Sequence, residues 1–339
     1  VEPRLLAERW WSLYGTGGWA FAEGTPRGEV LARFRPGDDR VGISAGLYRR
    51  LRDTQVFRPS IEADIMYSLP AAIGGTDLRD FYAVQGAELQ TTYRQGALSL
   101  RGGGRWEQQD SVQRNTTRHF FGEAENFPLV APAVPGRHVA LEGEVRYGRG
   151  GGALGITNSW ISSFRAETGV GDFRFSRAIG VVSARRTLGP LAVGARVDAG
   201  HVWGSAPSQY IFRFGGSEGL RGYDPNAFGG SSAVLGRGRA VAFLPFGNEP
   251  AAHFGPLMIP PIRPALVVSG DLGWTTISDA TRDELFRLGA RTTDGVRPVV
   301  GFGLSFFEDA LTAEWVRPLR PLEDQNRGWR FRFGLSGWY

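Results

Sequence analysis

The sequence contains no cysteine and no lysine, and only two methionines and four histidines. The absence of cysteine excludes disulfides, thiol nucleophiles and cysteine metal sites. The histidines are isolated from one another, so no histidine metal cluster and no bound metal are expected; they are His119, His138, His201 and His253. No apolar run of about 18 residues occurs, so no transmembrane helix is predicted.

The charge and glycine content exclude several further classes of protein. All 39 basic residues are arginine, and 34 acids leave a net charge of +5, which is too mild and too evenly spread for a nucleic-acid binder. The 49 glycines lack the three-residue period of collagen. An aromatic content of 12% excludes intrinsic disorder.

The clearest pattern is a two-residue alternation near the C-terminus. Trp329, Phe331 and Phe333 fall on one face, whereas Arg330 and Arg332 fall on the other. This alternation is typical of a β-strand that lies between lipid and a polar lumen.

Fourteen segments are predicted as strands from alternation of this kind. Most are 10 to 16 residues long by their numbering, which suits tilted strands that cross an apolar layer of about 25–30 Å. The segments are 40–52, 54–68, 79–94, 96–109, 112–121, 138–149, 153–168, 172–188, 191–204, 232–247, 263–275, 297–307, 310–318 and 329–339. The fold class predicted is an all-β, antiparallel transmembrane β-barrel. Small lumen-facing residues would account for much of the glycine, and the acids Glu142 and Glu144 are predicted to face the lumen.

The first residues show a different pattern. Leu6, Trp10 and Leu13 have helical spacing, which predicts a short helix that ends at the glycines of 15–18. Two short strands are predicted to follow, at 19–23 and 28–35.

Residues 212–223 read FRFGGSEGLRGY. This stretch resembles the sixth extracellular loop of the BamA/TamA-type outer-membrane insertase superfamily, whose barrel is also called the bacterial surface antigen domain. The residues that carry the loop motif are Gly215, Gly216, Leu220, Arg221, Gly222 and Tyr223. SGDLGW at 269–274, GFGLSFF at 301–307 and AEWVRPL at 313–319 resemble three later strands of that family, in the same order.

The resemblance implies a barrel of 16 strands, with 14 as the alternative, and an extracellular loop that folds into the lumen. In the family this loop carries an arginine that pairs with an acid of the wall. Arg221 would be that arginine, Asp271, on the lumen face by alternation, its first-choice partner, and Glu314 the alternative partner. Residues 1–38 resemble the end of a polypeptide-transport-associated (POTRA) domain, which leaves 39–339 for the barrel.

The C-terminal strand partly matches the signal that is read by bacterial barrel-assembly machinery. Arg332, Gly334 and Tyr339 supply the polar residue, the glycine and the terminal aromatic, but Gly337 stands where an apolar residue is usual. The resemblance also implies a seam between the first and last strands, at about 40–52 and 329–339.

Two segments match the G-x-S-x-G pattern of a hydrolase nucleophile, at 42–46 and 215–219. The nucleophile needs a strand, a sharp turn and a helix around it, and neither segment is predicted to have them. No catalytic residue and no cofactor are therefore expected, and the chain is predicted not to be an enzyme.

The resemblance implies an integral protein of the Gram-negative outer membrane that assists protein insertion or protein transport. The expected partners are outer-membrane lipid and lipopolysaccharide, the barrel-assembly machinery, and client outer-membrane or secreted proteins, but no nucleic acid. Two alternatives stay open: the membrane anchor of a patatin-like lipase whose catalytic domain precedes Val1, and a passive pore.

Overall fold

The structure of the chain is a computed structural model. It describes residues 4–7, 10–20, 24–37, 40–54, 80–112, 118–119, 122–123, 131–149, 158–216, 219–254, 257–323, 325 and 327–335.

Almost all the regular structure in these residues is β-strand. The strands are β1 (Arg4–Ala7), β2 (Trp11–Ala20), β3 (Thr25–Phe34), β4 (Val41–Asp53), β5 (Phe81–Gln95), β6 (Leu98–Ser111), β7 (Arg118–His119), β8 (Gly122–Glu123), β9 (Gly136–Arg149), β10 (Ser159–Gly171), β11 (Arg174–Leu188), β12 (Leu191–Ser205), β13 (Phe212–Phe214), β14 (Phe228–Gly230), β15 (Ser232–Phe243), β16 (Pro250–Phe254), β17 (Leu257–Pro261), β18 (Ala265–Thr276), β19 (Arg297–Phe306), β20 (Leu311–Pro318) and β21 (Arg330–Leu335). One short helix, α1 (Arg282–Arg287), and two 3₁₀ turns, Ser208–Tyr210 and Asp279–Thr281, complete them. Among the described residues, no helix is both long and apolar enough to cross a membrane.

Fifteen strands form one antiparallel sheet in the order β1-β2-β3-β4-β5-β6-β9-β10-β11-β12-β15-β18-β19-β20-β21. The predicted all-β, antiparallel fold is confirmed, although the described part of the sheet has neither 16 nor 14 strands. Because β6 pairs directly with β9, the predicted strand 112–121 does not enter the sheet. The predicted strand 54–68 lies outside the described residues apart from Thr54, and β4 pairs directly with β5.

The predicted N-terminal helix is wrong. Residues 11–20 form β2, which pairs with β3 from Trp11↔Phe34 to Ala20↔Thr25. Three apolar residues at helical spacing are a weak signal, and the glycines of 15–18 lower the helix propensity. Pairing with β3, the next strand along the chain, decides the conformation instead. β3 also pairs with β4. The division into a POTRA-like part at 1–38 and a barrel at 39–339 stays a prediction.

The two faces of the sheet differ in chemistry. The outer face carries exposed apolar side chains along every long strand, for example Leu89 (57% exposed), Phe164 (55%) and Val268 (63%). The inner face carries buried charged residues such as Arg105 and Asp271. The alternation predicted for the C-terminal strand is confirmed, since Phe331 and Phe333 are exposed on the outer face.

The two ends of the sheet differ in the length of their connections. The strands are joined at one end by the long connections 54–80, 112–135, 206–231, 277–296 and 319–329, and by the short connections 21–24 and 172–173. The other end has the shorter connections 8–10, 35–40, 96–97, 150–158, 189–190 and 307–310, with 244–264 as the long exception. We call these the long-loop end and the short-turn end.

Candidate functional site: a plug segment inside the sheet

Residues 206–231, which we call the plug segment, connect β12 to β15 and lie against the inner face of the sheet. Side chains of this segment contact Gln109 of β6 and Glu314 of β20. Seven strands separate β6 from β20 in the sheet order, so the sheet curls around the plug segment. We call the space inside this curl the lumen.

Arg221 of the plug segment contacts both acids that the sequence suggested. Its Nε and Nη2 donate to the two carboxylate oxygens of Asp271 at 2.7 and 2.6 Å, and its Nη1 donates to Oε2 of Glu314 at 3.1 Å. The backbone N–H of Arg221 donates to Asp271 as well, at 3.2 Å. Asp271 is 1% exposed and Arg221 is 7% exposed, so this bidentate pair is shielded from water.

The backbone around Arg221 has conformations that suit glycine. Gly222 has a φ of +85°, a region that side-chain-bearing residues rarely adopt, and a Cβ there would lie 3.1 Å from Cδ of Pro318. Gly215 has a φ of +147°, and a Cβ there would lie 2.2 Å from the carbonyl oxygen of Asp224. The glycines of the motif therefore permit the tight fold that aims Arg221 at the wall.

The two apolar residues of the motif pack beside this ion pair. Leu220 is fully buried against Gly273 of β18, where a side chain would collide with its methyl groups. The Tyr223 ring packs edge-on against Phe228 at 4.9 Å between ring centres. Its hydroxyl donates to the carbonyl oxygen of Arg320 at 2.7 Å, and burial raises the pKa of this phenol.

The opposite wall holds the first part of the plug segment. Gln109 of β6 donates to the Tyr210 hydroxyl at 2.8 Å, and its side-chain oxygen accepts from Gln209 at 2.8 Å. His138 of β9 lies 3.2 Å from the same hydroxyl. The plug segment is thus bonded to two walls of the lumen.

A second arginine of the plug segment pairs close to the long-loop end. Arg213 Nη2 lies 2.8 Å from Oδ2 of Asp80 and donates to the Thr54 hydroxyl at 2.9 Å. Asn226 donates to the same carboxylate at 3.0 Å. Burial lowers the pKa of Arg213, and the charge of Asp80 opposes that shift.

A network of charged side chains lines the inner face of the sheet near Tyr210. Arg105 donates to Glu142 at 2.7 Å and also pairs with Glu167, while Arg177 donates to Glu167 at 2.9 Å. The sequence alternation placed Glu142 on the lumen face, as the structure does. The partners of Arg105, Arg213 and Tyr210 lie up to 159 residues away in the sequence, and no local pattern identifies them.

The C-terminal residues are only partly described. Arg332 and Gly334 lie on β21, where Arg332 is the register partner of Glu314; Tyr339 lies outside the described residues. Arg330 donates to Asp224 of the plug segment at 2.8 Å, and this hydrogen bond lowers the pKa of Asp224. The predicted seam at 40–52 is wrong, because β4 pairs with β3 and with β5 and so is not an edge.

The G-x-S-x-G match at 42–46 lies within β4, without the strand-to-helix turn that a hydrolase nucleophile needs. In the second match, Ser217 lies outside the described residues.

No protein-family model matches this chain, and no curated protein matches it in sequence. Among solved structures, CdiB from Acinetobacter baumannii is similar, with 14% identity and a TM-score of 0.48 over 95% of this chain and 52% of that chain. The chain spans about half the length of that structure. The function proposed below depends on the geometry of the plug segment and on the sequence motif.

Proposed function

We propose that this chain is an outer-membrane β-barrel of the insertase and translocase superfamily, which assists the insertion or translocation of proteins. The observation that carries this proposal is the plug segment, which holds its LRGY motif inside the lumen through Arg221, Asp271 and Glu314. The motif resembles that superfamily, and general porins lack it. The proposed work needs no cofactor, no metal and no catalytic residue.

The surface of the sheet supports a place in a membrane. Exposed tryptophans lie near both ends of the strands, with apolar side chains between them, as in the aromatic girdles of outer-membrane barrels. Trp19, Trp203 and Trp274 lie at the long-loop end, and Trp11 and Trp160 at the short-turn end. In bacterial barrels the long loops are extracellular, so we orient the short-turn end toward the periplasm.

The edges of the sheet supply a route for a client. Among the described residues, β1 and β21 are the two edge strands of the sheet. Each pairs with a neighbouring strand on one side only. An unpaired edge presents backbone N–H and C=O groups that can template a further strand. A client strand would add at this seam.

The plug segment distinguishes this proposal from a passive pore. Tyr210, Phe212, Leu220 and Phe228 fill the lumen with fully buried side chains. A passive pore would conduct steadily with the plug segment in place. An insertase would show low resting conductance.

The test is an insertion assay in liposomes that contain the protein. An unfolded outer-membrane client is added, and its folding is followed by heat-modifiable migration on gels. We expect the protein to accelerate client folding severalfold over empty liposomes, and Arg221→Gln to reduce that acceleration. Arg282→Gln, which removes an exposed ion pair, is the matched control and should act as wild type.

Client folding at the rate of empty liposomes would reject the proposal. In that case a steady conductance would favour the passive pore, and its absence would favour the lipase anchor.

A further inference from the structure

A small cavity opens near the tight turn between β5 and β6, at the short-turn end. Its volume is about 130 Å³, and its lining includes Arg94, Ser99, Arg146, Gly148 and Ile161. It lies apart from the plug segment, which is bonded to the sheet nearer the long-loop end.

The strand register places the polar lining on the lumen side. Arg94, Ser99 and Arg146 form one cross-strand row, because Ser99 pairs with Arg94 on β5 and with Arg146 on β9. Their immediate neighbours Leu100 and Val145 are exposed on the outer, apolar face. Since successive residues of a strand point to opposite faces, the row faces the lumen.

The two arginines are separated by a single serine in that row. Neighbouring strands lie about 4.8 Å apart, so the α-carbons of Arg94 and Arg146 lie roughly 10 Å apart. Two long side chains at this spacing can converge on one group between them. Ser99 adds a hydroxyl, and Gly148 and Ile161 line the same cavity.

These two arginines differ from those deeper in the lumen. Arg105, Arg196 and Arg239 each contact a carboxylate at 2.5–3.1 Å. For Arg94 and Arg146, the described part of the chain offers no ion pair and no side-chain hydrogen bond.

Glu144, in the adjacent row, does not neutralise the charges of Arg94 and Arg146. In the adjacent row Glu144 stands between Arg101 and Arg165, and its carboxylate lies 4.0 Å from Arg101. The two rows therefore hold four arginines and one glutamate. Arg165 also pairs with Glu142 of the next row at 3.1 Å, which leaves Arg94 and Arg146 as the excess positive charge.

We infer that this cavity binds a single carboxylate or phosphate group that enters the lumen at the short-turn end. The planar fork of a guanidinium matches either oxyanion, and two arginines with one hydroxyl can surround it. A water molecule occupies about 30 Å³ in the liquid, so the cavity has room for one such group. The group is either a free anion or the acidic side chain of a polypeptide, and the second source rests on the proposed function.

The test is calorimetric titration of the folded, detergent-solubilised protein at low ionic strength. The probes are inorganic phosphate and a short extended peptide that contains glutamate. We expect one site per chain, and at least tenfold weaker binding in both Arg94→Gln and Arg146→Gln. Arg149→Gln is the matched control, because Arg149 lies on the same strand as Arg146 but on the outer face, and it should bind as wild type.

Heat-modifiable migration verifies that each variant is folded. Tighter binding of the peptide, displaced by phosphate, identifies a polypeptide source, whereas equal affinities identify a free anion. Binding that is absent in the wild type, or unchanged in both variants, overturns the inference. The titration needs no insertion activity, so its outcome is independent of the liposome assay.

Discussion

Replacing Arg221 by methionine removes the side chain that joins the plug segment to two acids of the sheet. Asp271, which is 1% exposed, then keeps only a backbone N–H as its described donor. Glu314 retains Arg239 at 3.1 Å. The variant therefore leaves one buried carboxylate without its bidentate partner, and Arg237, which lies opposite it on β15, donates to Asp198.

The expected loss follows from the burial of this pair. Removal of one partner from a buried ion pair costs about 3–5 kcal/mol, because the remaining charge stays in a poorly hydrated site. Replacement of both partners by apolar residues of similar size is often nearly neutral. We therefore expect Arg221→Met to lower the free energy of unfolding by about 3–5 kcal/mol, and the double variant Arg221→Met/Asp271→Leu to lose less than Arg221→Met alone.

The measurement is guanidinium-induced unfolding of the reconstituted protein, followed by tryptophan fluorescence and heat-modifiable migration. Arg282→Met is the control, since the pair Arg282–Asp279 is 54% and 89% exposed and surface pairs contribute about 0–1 kcal/mol. If Arg221→Met and Arg282→Met changed the stability equally, or if the two single losses at Arg221 and Asp271 simply added, the reasoning about the buried pair would be refuted.

Two further predictions concern the packing of the motif. Leu220→Ala should destabilise the protein by about 2–5 kcal/mol, because it opens a cavity at a fully buried position; Leu319→Ala, at a 53% exposed position, should change stability by less than about 0.5 kcal/mol in the same unfolding assay. Gly222→Ala should cost about 1–3 kcal/mol, because φ is +85° and the added Cβ meets Pro318 at 3.1 Å. Gly238→Ala is the control, because its added Cβ has open space around it. If the two glycine substitutions changed the unfolding midpoint equally, the predicted backbone strain at position 222 would be contradicted.

The alternating strands were predictable because alternation depends on local sequence, and the partner of Arg221 was predictable because the loop motif resembles a known family. Alternation around Asp271 determines the face of β18 on which it lies, and the motif restricts the choice of arginine. Both the pair with Asp271 and the pair with Glu314 are present at 2.6–3.1 Å. The sequence suggested Asp271 and Glu314 as alternative partners, whereas the guanidinium of Arg221 contacts both.

Features that depend on which segments pair with one another were not predictable. Residues 11–20 form a strand because β3 lies beside them, and three apolar residues at helical spacing carry no information about that neighbour. The contact between Arg213 and Asp80 joins residues that are remote in the sequence. Only the curl of the sheet brings them together.

The distribution of apolar residues links stability to opening of the lumen. The outer face keeps its large side chains exposed, so the main packed cluster lies inside, where Phe212, Leu220 and Phe228 of the plug segment meet Leu235 and Val316 of the wall. Departure of the plug segment would therefore expose this cluster and break the ion pairs of Arg213 and Arg221 together. A ligand can shift such an equilibrium only by the difference in its affinity for the two states. A ligand that opens the lumen must therefore bind the open state more tightly by at least the free energy that these contacts contribute. If the proposed function holds, client binding at the seam that is equal in both states would leave the plug segment in place.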